Sequence, residues 1–178
     1  PGGPVIDRIA KTGNTSAYDF PRGLTGAAGK AVKPEHRFDF SFSGVKTAML
    51  YAVKDRSLSD QELADVVASY QAAVMGVRIT KAGDAALHFN TPVICVCGGV
   101  ACNSYLREKL SQEAGRIGRK LVLAPPKYCT DNAAMVAGLA WHYLRHGRSD
   151  GLAMPTNARL DHDLGIIPFA PNATMPAN

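Results

Sequence analysis

The stretch VICVCGGVACNSYLREKL, residues 93–110, decides the fold. It opens after Pro92 with a short continuous apolar run, the pattern of a buried strand in a parallel sheet. Gly98 and Gly99 end that run. Asn103 then precedes a segment with Leu106, Leu110, Ala114 and Ile117 at helical spacing, all facing inward. A second apolar run, KLVLA, begins at Lys120. The loop PPKYCTDN follows, then the strongly apolar helix NAAMVAGLAWHYLRHG, with Gly147 placed to close it. Strand, helix, strand and helix joined by short connections predict an α/β fold with parallel strands and right-handed crossovers. In such sheets ligands bind beyond the carboxyl ends of the strands. Gly98-Gly99 and Thr130-Asp131 both fall at that edge.

Upstream, the first 36 residues are rich in Gly, Pro and Ala, and residues 1–10 suit a short helix with Val5, Ile6 and Ile9 on one side. Residues 20–36 read as a strand edge and a loop. Phe38, Phe40 and Phe42 alternate with Asp39, Ser41 and Ser43, which is strand period. A helix follows with Ser43 as its N-cap. Ser59 and Glu62 form a capping-box signature ahead of a long helix reaching about His88, with Leu63, Val66, Val67, Tyr70, Val74 and Val77 on its apolar stripe.

Bulk properties bound the class. The chain has 178 residues, enough for one domain or one lobe of a larger protein. It has no secretory pattern and no apolar run near the ~20 residues of a membrane span, so a cytoplasmic location without membrane contact is expected. The opening Pro-Gly-Gly-Pro reads as a cut within a longer chain, and residues 170–178 as a flexible tail. Cys95, Cys97, Cys102 and Cys129 lack zinc-site spacing and read as buried or half-buried free thiols. The net charge of +5 suits an anionic partner such as nucleotide or RNA. Arg107, Lys109, Arg116, Arg119 and Lys120, on one helix and its exit, suit RNA or a solvated face equally.

The candidate chemistry gathers at the sheet edge. Glycines let backbone approach a ligand closely, and a helix N-terminus offers free N–H groups, so Gly98-Gly99 suits a phosphate or simply a tight turn. Asn103 is either the helix N-cap or an amide aimed at a sugar or base. Asp131 is either an N-cap or one ligand of a hard or borderline cation. One carboxylate cannot hold a metal alone, so its partners would lie elsewhere. The SGVKT segment lacks the glycine and Gly-Lys-Ser/Thr order of a phosphate loop. LDHDL around His162 reads as surface, and no hydrolase or metalloprotease motif occurs.

Four motifs in order, PGGPVIDRIA, FDFSFSGVKTA, VCGGVACNSYLR and PPKYCTDNAAMVAGLA, resemble the C-terminal half of the TsaD/Kae family, the tRNA N6-adenosine threonylcarbamoyltransferases. The SFSGVKTA form is similar to that of bacterial members. The resemblance covers most of residues 1–169. It implies the C-terminal lobe of an actin-like ATPase (ribonuclease H-like) fold, without the N-terminal lobe. It implies transfer of a threonylcarbamoyl group from threonylcarbamoyl-AMP to N6 of the adenosine 3′ of the anticodon in tRNA. By motif, Gly3 and Asp7 would bind the adenylate, Asp7 reaching the ribose hydroxyls. Asn103, after Gly98-Gly99, would contact the nucleotide. Asp131 would be a ligand to Fe2+ or Zn2+, in a site completed by the two histidines of the missing lobe. TsaB-like and TsaE-like proteins would be partners in bacteria. This chain alone would be catalytically inactive and bind metal weakly.

Two other readings compete. A sugar or acetate kinase lobe of the same superfold explains Gly98-Gly99 but has no use for CTDNAAM or SFSGVKTA. A non-catalytic assembly scaffold explains the fold but not the site.

Overall fold

The computed structural model describes residues 2–26, 32–149 and 151–153. The tail at 170–178 and His162 lie outside the described residues. The chain divides into two compact units, Pro1–Met135 and Val136–Asn178.

The first unit is built around a long central helix. It contains α1 (Gly2–Ile9), α2 (Ser43–Val53), α3 (Asp60–His88), β1 (Val93–Val96), α4 (Ser104–Arg116) and β2 (Lys120–Leu123), and α5 (Ala133–Arg145) begins at its end. β1 and β2 pair in parallel, Val93 opposite Lys120 and Val96 opposite Leu123. The α/β class with parallel strands and packed helices is as the sequence predicts.

α3 starts where its chemistry dictates. The Ser59 hydroxyl accepts from the Glu62 backbone N–H, and the Glu62 carboxylate accepts from the Ser59 N–H at 2.8 Å, a complete capping box. Its far end closes through Asn90, at φ 46°, where Thr91 N–H donates to the Ala86 carbonyl. Between these ends α3 is buried on more than one face, through Val66, Val67 and Val77 but also Ala64, Ala68, Ser69, Ala72 and Ala73. Small residues let neighbours approach closely. Phe20, Val45, Val66 and Ala73 form one core cluster, with Tyr18, Phe42, Met49 and Tyr70 packed on it. Ala10, Val67 and Ala68 form a second, covered by Ile6, Ile9 and Leu63. Each buried valine contributes about 1.5–3 kcal/mol of transfer free energy. Substituting Ser59 by alanine removes the cap and should cost about 1 kcal/mol, read as a lower denaturant midpoint with unchanged slope.

Several expectations are corrected. Residues 38–42 form no strand. Alternation alone does not make one, because a strand needs a neighbour to hydrogen-bond, and the only sheet among the described residues is β1–β2. Phe38 instead packs against His88 and Phe89, with ring centroids 5.4 Å from each, and Phe40 stacks on Phe42. Ser43 is not the N-cap. Phe42 holds that position, and the Ser43 hydroxyl pairs with Ser41 at 3.4 Å. Val5 is exposed while Ile6 and Ile9 pack inward. The two strands are half-exposed, not buried on both faces. Cys95, Cys97 and Cys102 are exposed, and Cys129 is buried. No helix among the described residues is long and apolar enough to cross a membrane.

In the second unit, the body of α5 exposes Val136, Leu139, Trp141 and Leu144. Gly147, at φ 64°, closes the helix as expected: its N–H donates to the Leu144 carbonyl and that of Arg148 to the Tyr143 carbonyl.

Among the described residues, three carboxyl groups sit below the ordinary carboxylate range. The Ser59 N–H and then its hydroxyl hold Glu62 down, Arg37 does so for Asp84, and Arg116 for Glu113. A depressed folded-state pKa means the native state favours the ionised form. The resulting stability is fully present above the unfolded carboxyl value of about 4 and drains as pH falls through the lower folded values. The melting temperature should hold between pH 7 and about 5 and drop below about 4. Glu62→Gln should flatten part of that drop.

Candidate active site at the carboxyl edge of the strands

β1 and β2 both deliver their chains to one edge, where Ala124 N–H donates to the Val96 carbonyl at 3.0 Å. Beyond β1, Gly98 adopts φ 84° and ψ 169°, a conformation open essentially to glycine alone. A Cβ on Gly98 or Gly99 would meet nothing within 4 Å, so the space beside this turn is open. Residues 99–102 then make one 3-10 turn and lead into α4.

Asn103 caps α4. Its Oδ1 accepts from the Leu106 N–H at 2.9 Å, and its Nδ2 donates to Oε1 of buried Gln71 on α3 at 2.7 Å. The amide is thereby oriented from both ends. One N–H hydrogen and one lone pair remain beyond these two bonds.

Asp7 arrives from the other end of the chain. α1 carries it to the start of α4, where both carboxylate oxygens lie 3.2 Å from Ser104 N and Oδ1 accepts from Ser104 Oγ at 2.9 Å. A carboxylate at a helix N-terminus is favoured by the partial positive charge there. Asp7, Asn103, Gly98 and Gly99 are therefore gathered around one helix start. Gly3 is exposed on α1, one turn before Asp7, with open space beside it.

Asp131 lies in the loop after β2, and its side chain is exposed. It does not cap α5. Asn132 does, its Oδ1 accepting from the Met135 N–H at 3.1 Å, and its Nδ2 donating to the Thr130 carbonyl. The Asp131 carboxylate is thus left outside the cap. Among the described residues no three His, Cys, Asp or Glu side chains group as metal ligands. The donors present do not by themselves fit a metal ion, since one carboxylate cannot hold it.

Arg107 connects the two loops. From α4 its Nε donates to the Ala101 carbonyl, after β1, and its NH2 group to the Ala124 carbonyl, after β2. The same group stands 3.7 Å from Cys129 Sγ. This residue is occupied as an internal clamp. Of its basic neighbours, Arg116 pairs with Glu113 at 2.7 Å, Arg119 donates to Asn90 Oδ1, and Lys109 meets Glu108 and Gln112. Ser104 and Gln71 escaped the sequence reading, and Arg107 was read there only as part of a basic face. Gln71 alone carried a signal, as a polar residue inside an apolar helical stripe.

Comparison with known proteins shows the family of the chain. The sequence pattern of the family described as TsaD, tRNA N6-adenosine threonylcarbamoyltransferase, matches residues 1–138. A protein of that name from Geobacter sulfurreducens is 42% identical over 168 residues, covering 94% of this chain and 46% of its own length. Relatives of the same name from Dictyoglomus turgidum and Syntrophus aciditrophicus are 38% and 39% identical, again over 46% of their lengths. The chain spans about half the length of the curated relatives it matches. With the motifs at Asp7, Gly98-Gly99, Asn103 and Asp131 all inside or at the border of the matched segment, the chain belongs to the TsaD family.

Proposed function

We propose that this chain forms the adenylate-binding half of a tRNA N6-adenosine threonylcarbamoyltransferase, as a lobe of actin-like fold. The observation that carries the proposal is the meeting of Asp7 with the start of α4. Residues 97 positions apart are joined there, beside an open glycine turn. Such a site has the parts an adenylate needs. Gly98 and Gly99 admit the phosphate to bare backbone, Asn103 presents an oriented amide, and Asp7 accepts from ribose hydroxyls with the lone pairs Ser104 leaves free.

In the reaction, N6 of the tRNA adenosine attacks the carbamoyl carbon of threonylcarbamoyl-AMP. The bond from that carbon to the phosphate oxygen breaks, AMP leaves, and N6 loses a proton. Holding the adenylate at a helix start orients the acyl carbon and favours negative charge on the departing phosphate. Asp131 supplies one ligand of an iron or zinc site whose other ligands lie outside the described residues. tRNA, TsaB-like and TsaE-like partners and a cytoplasmic setting belong to the same proposal.

The test uses the full-length protein that contains this chain. Threonylcarbamoyl transfer to tRNA is expected, without phosphoryl transfer from ATP to sugars or acetate. The reverse result would replace the proposal with the kinase reading. For this chain alone, calorimetric titration with zinc should give a Kd weaker than about 10 μM, as one carboxylate implies. Sub-micromolar binding would refute the shared metal site.

A further inference from the structure

Cys102 ends the turn after β1, and Cys129 sits in the loop after β2. The Cys102 sulfur lies 3.7 Å from the Pro126 carbonyl oxygen, and the Cys129 sulfur 3.5 Å from that of Pro125. The two thiols therefore rest against successive peptide groups of one loop. Desolvation raises the Cys102 thiol from its ordinary value, and the Cys129 thiol raises it further. Cys102 is exposed and Cys129 is buried. Cys129 is also the sulfur that Arg107 faces at 3.7 Å.

We propose that Cys102 and Cys129 are a site of reversible oxidation, joined as a disulfide by a hydroperoxide, which fastens the turn carrying Asn103 to the loop carrying Asp131. The exposed Cys102 meets the oxidant first. Its thiolate attacks a peroxide oxygen; the S–O bond forms, the O–O bond breaks, and the other oxygen leaves as water or an alcohol. The Cys129 thiolate then attacks the Cys102 sulfenic sulfur. The S–S bond forms, the S–O bond breaks, and hydroxide leaves and takes up a proton. Two thiols lose two electrons, and the peroxide gains them. A small dithiol reverses the change by exchange.

The bond has a local consequence. A disulfide brings the sulfurs to about 2.05 Å, closer than either now stands to its carbonyl partner. The bond also removes the S–H hydrogen that Cys129 donates to the Ala124 and Pro125 carbonyls. The loop bearing Asp131 shifts with it. This inference does not depend on the reaction assigned to the site.

The experiment treats the full-length protein with hydrogen peroxide, blocks free thiols with N-ethylmaleimide, and maps peptides without reductant. The expected product is one peptide pair joined through Cys102 and Cys129, abolished by dithiothreitol, with Cys95 and Cys97 alkylated. Cys102→Ala, at an exposed position, should remove the pair and leave Cys129 as a thiol, with an unchanged melting temperature showing that the fold is kept. Cys102 recovered as sulfinic acid beside an alkylated Cys129, Cys102 joined to Cys95 or Cys97, or both thiols left unoxidised would each overturn the proposal.

Discussion

Substituting Asp7 by alanine should lower threonylcarbamoyl transfer by the full-length protein on the order of 100-fold or more, while the fold survives. Two effects are superimposed. The first is structural: Ser104 N and Oγ lose their shared acceptor, and α4 loses the negative charge at its start. Losses of this kind at exposed helix starts cost about 1–2 kcal/mol. The second is binding. Hydrogen bonds from ribose hydroxyls to a carboxylate are charge-assisted and contribute about 1.5–3 kcal/mol each, and each 1.4 kcal/mol is tenfold. Asp7→Asn separates the effects. Its amide oxygen still accepts from Ser104 Oγ, so thermal unfolding should recover toward the parent, whereas transfer and adenylate affinity should stay low. If transfer tracks only the folded fraction in both variants, Asp7 is a helix-start residue and nothing more, and the adenylate site must be placed elsewhere.

What could be read from the chain beforehand follows from how far each signal reaches. The α3 capping box and the Gly147 closure are encoded within a few residues, and both stand where the sequence places them. β1 and β2 were legible as short apolar runs, β1 opening after Pro92 and β2 closing before Pro125. The strand expected at 38–42 failed for the opposite reason. Period-2 alternation marks a segment as able to pair, while pairing depends on what lies beside it, and here aromatic rings occupy that place.

The site divides in the same way. Asn103 was readable as a cap or a ligand contact, and it does cap α4; its bond to Gln71 came only with the packing of α4 on α3. Asp131 was readable as a cap, yet the adjacent Asn132 fills that role, because an asparagine side chain one residue nearer the helix reaches the Met135 N–H. Arg107 looked like part of a basic helix face. A long guanidinium stem can turn inward to serve backbone carbonyls, and charge alone gives no sign of the direction. The contact of Asp7 with Ser104 spans 97 positions, so no local pattern could announce it.

The largest stability effect is expected at Gly13, where Gly13→Ala should destabilise the chain by about 3 kcal/mol. The backbone there is ordinary, φ −93° and ψ 158°, so conformation is not the obstacle. Space is. A Cβ would lie 2.0 Å from the Ala64 carbonyl oxygen, 2.3 Å from its carbon and 2.8 Å from the Ala68 Cβ. Two of the three are α3 backbone, which no rotamer change can move. The turn after α1 must lift away, and it takes specific contacts with it. Asn14 N–H donates to Asp65 Oδ1 at 2.7 Å, Ser69 Oγ donates to the Asn14 carbonyl at 3.0 Å, and Tyr18 N–H donates to that same hydroxyl at 3.1 Å. Ser69 is buried, so separation strands a hydroxyl in an apolar surround, and Ala10 loses its cover of Val67 and Ala68. Overpacking costs about 1–3 kcal/mol and an unsatisfied buried polar group about 1–3 kcal/mol, which places the sum near 3 kcal/mol if the turn relaxes partway. Gly44→Ala is the control. It lies in the first turn of α2 with nothing within 4 Å of an added Cβ, so the change should stabilise, by up to about 1 kcal/mol. Urea unfolding of both variants reads the difference as opposite shifts in midpoint. Equal midpoints would mean that the α1 turn does not sit tightly on α3, and the positioning of Asp7 by that contact would fail with it.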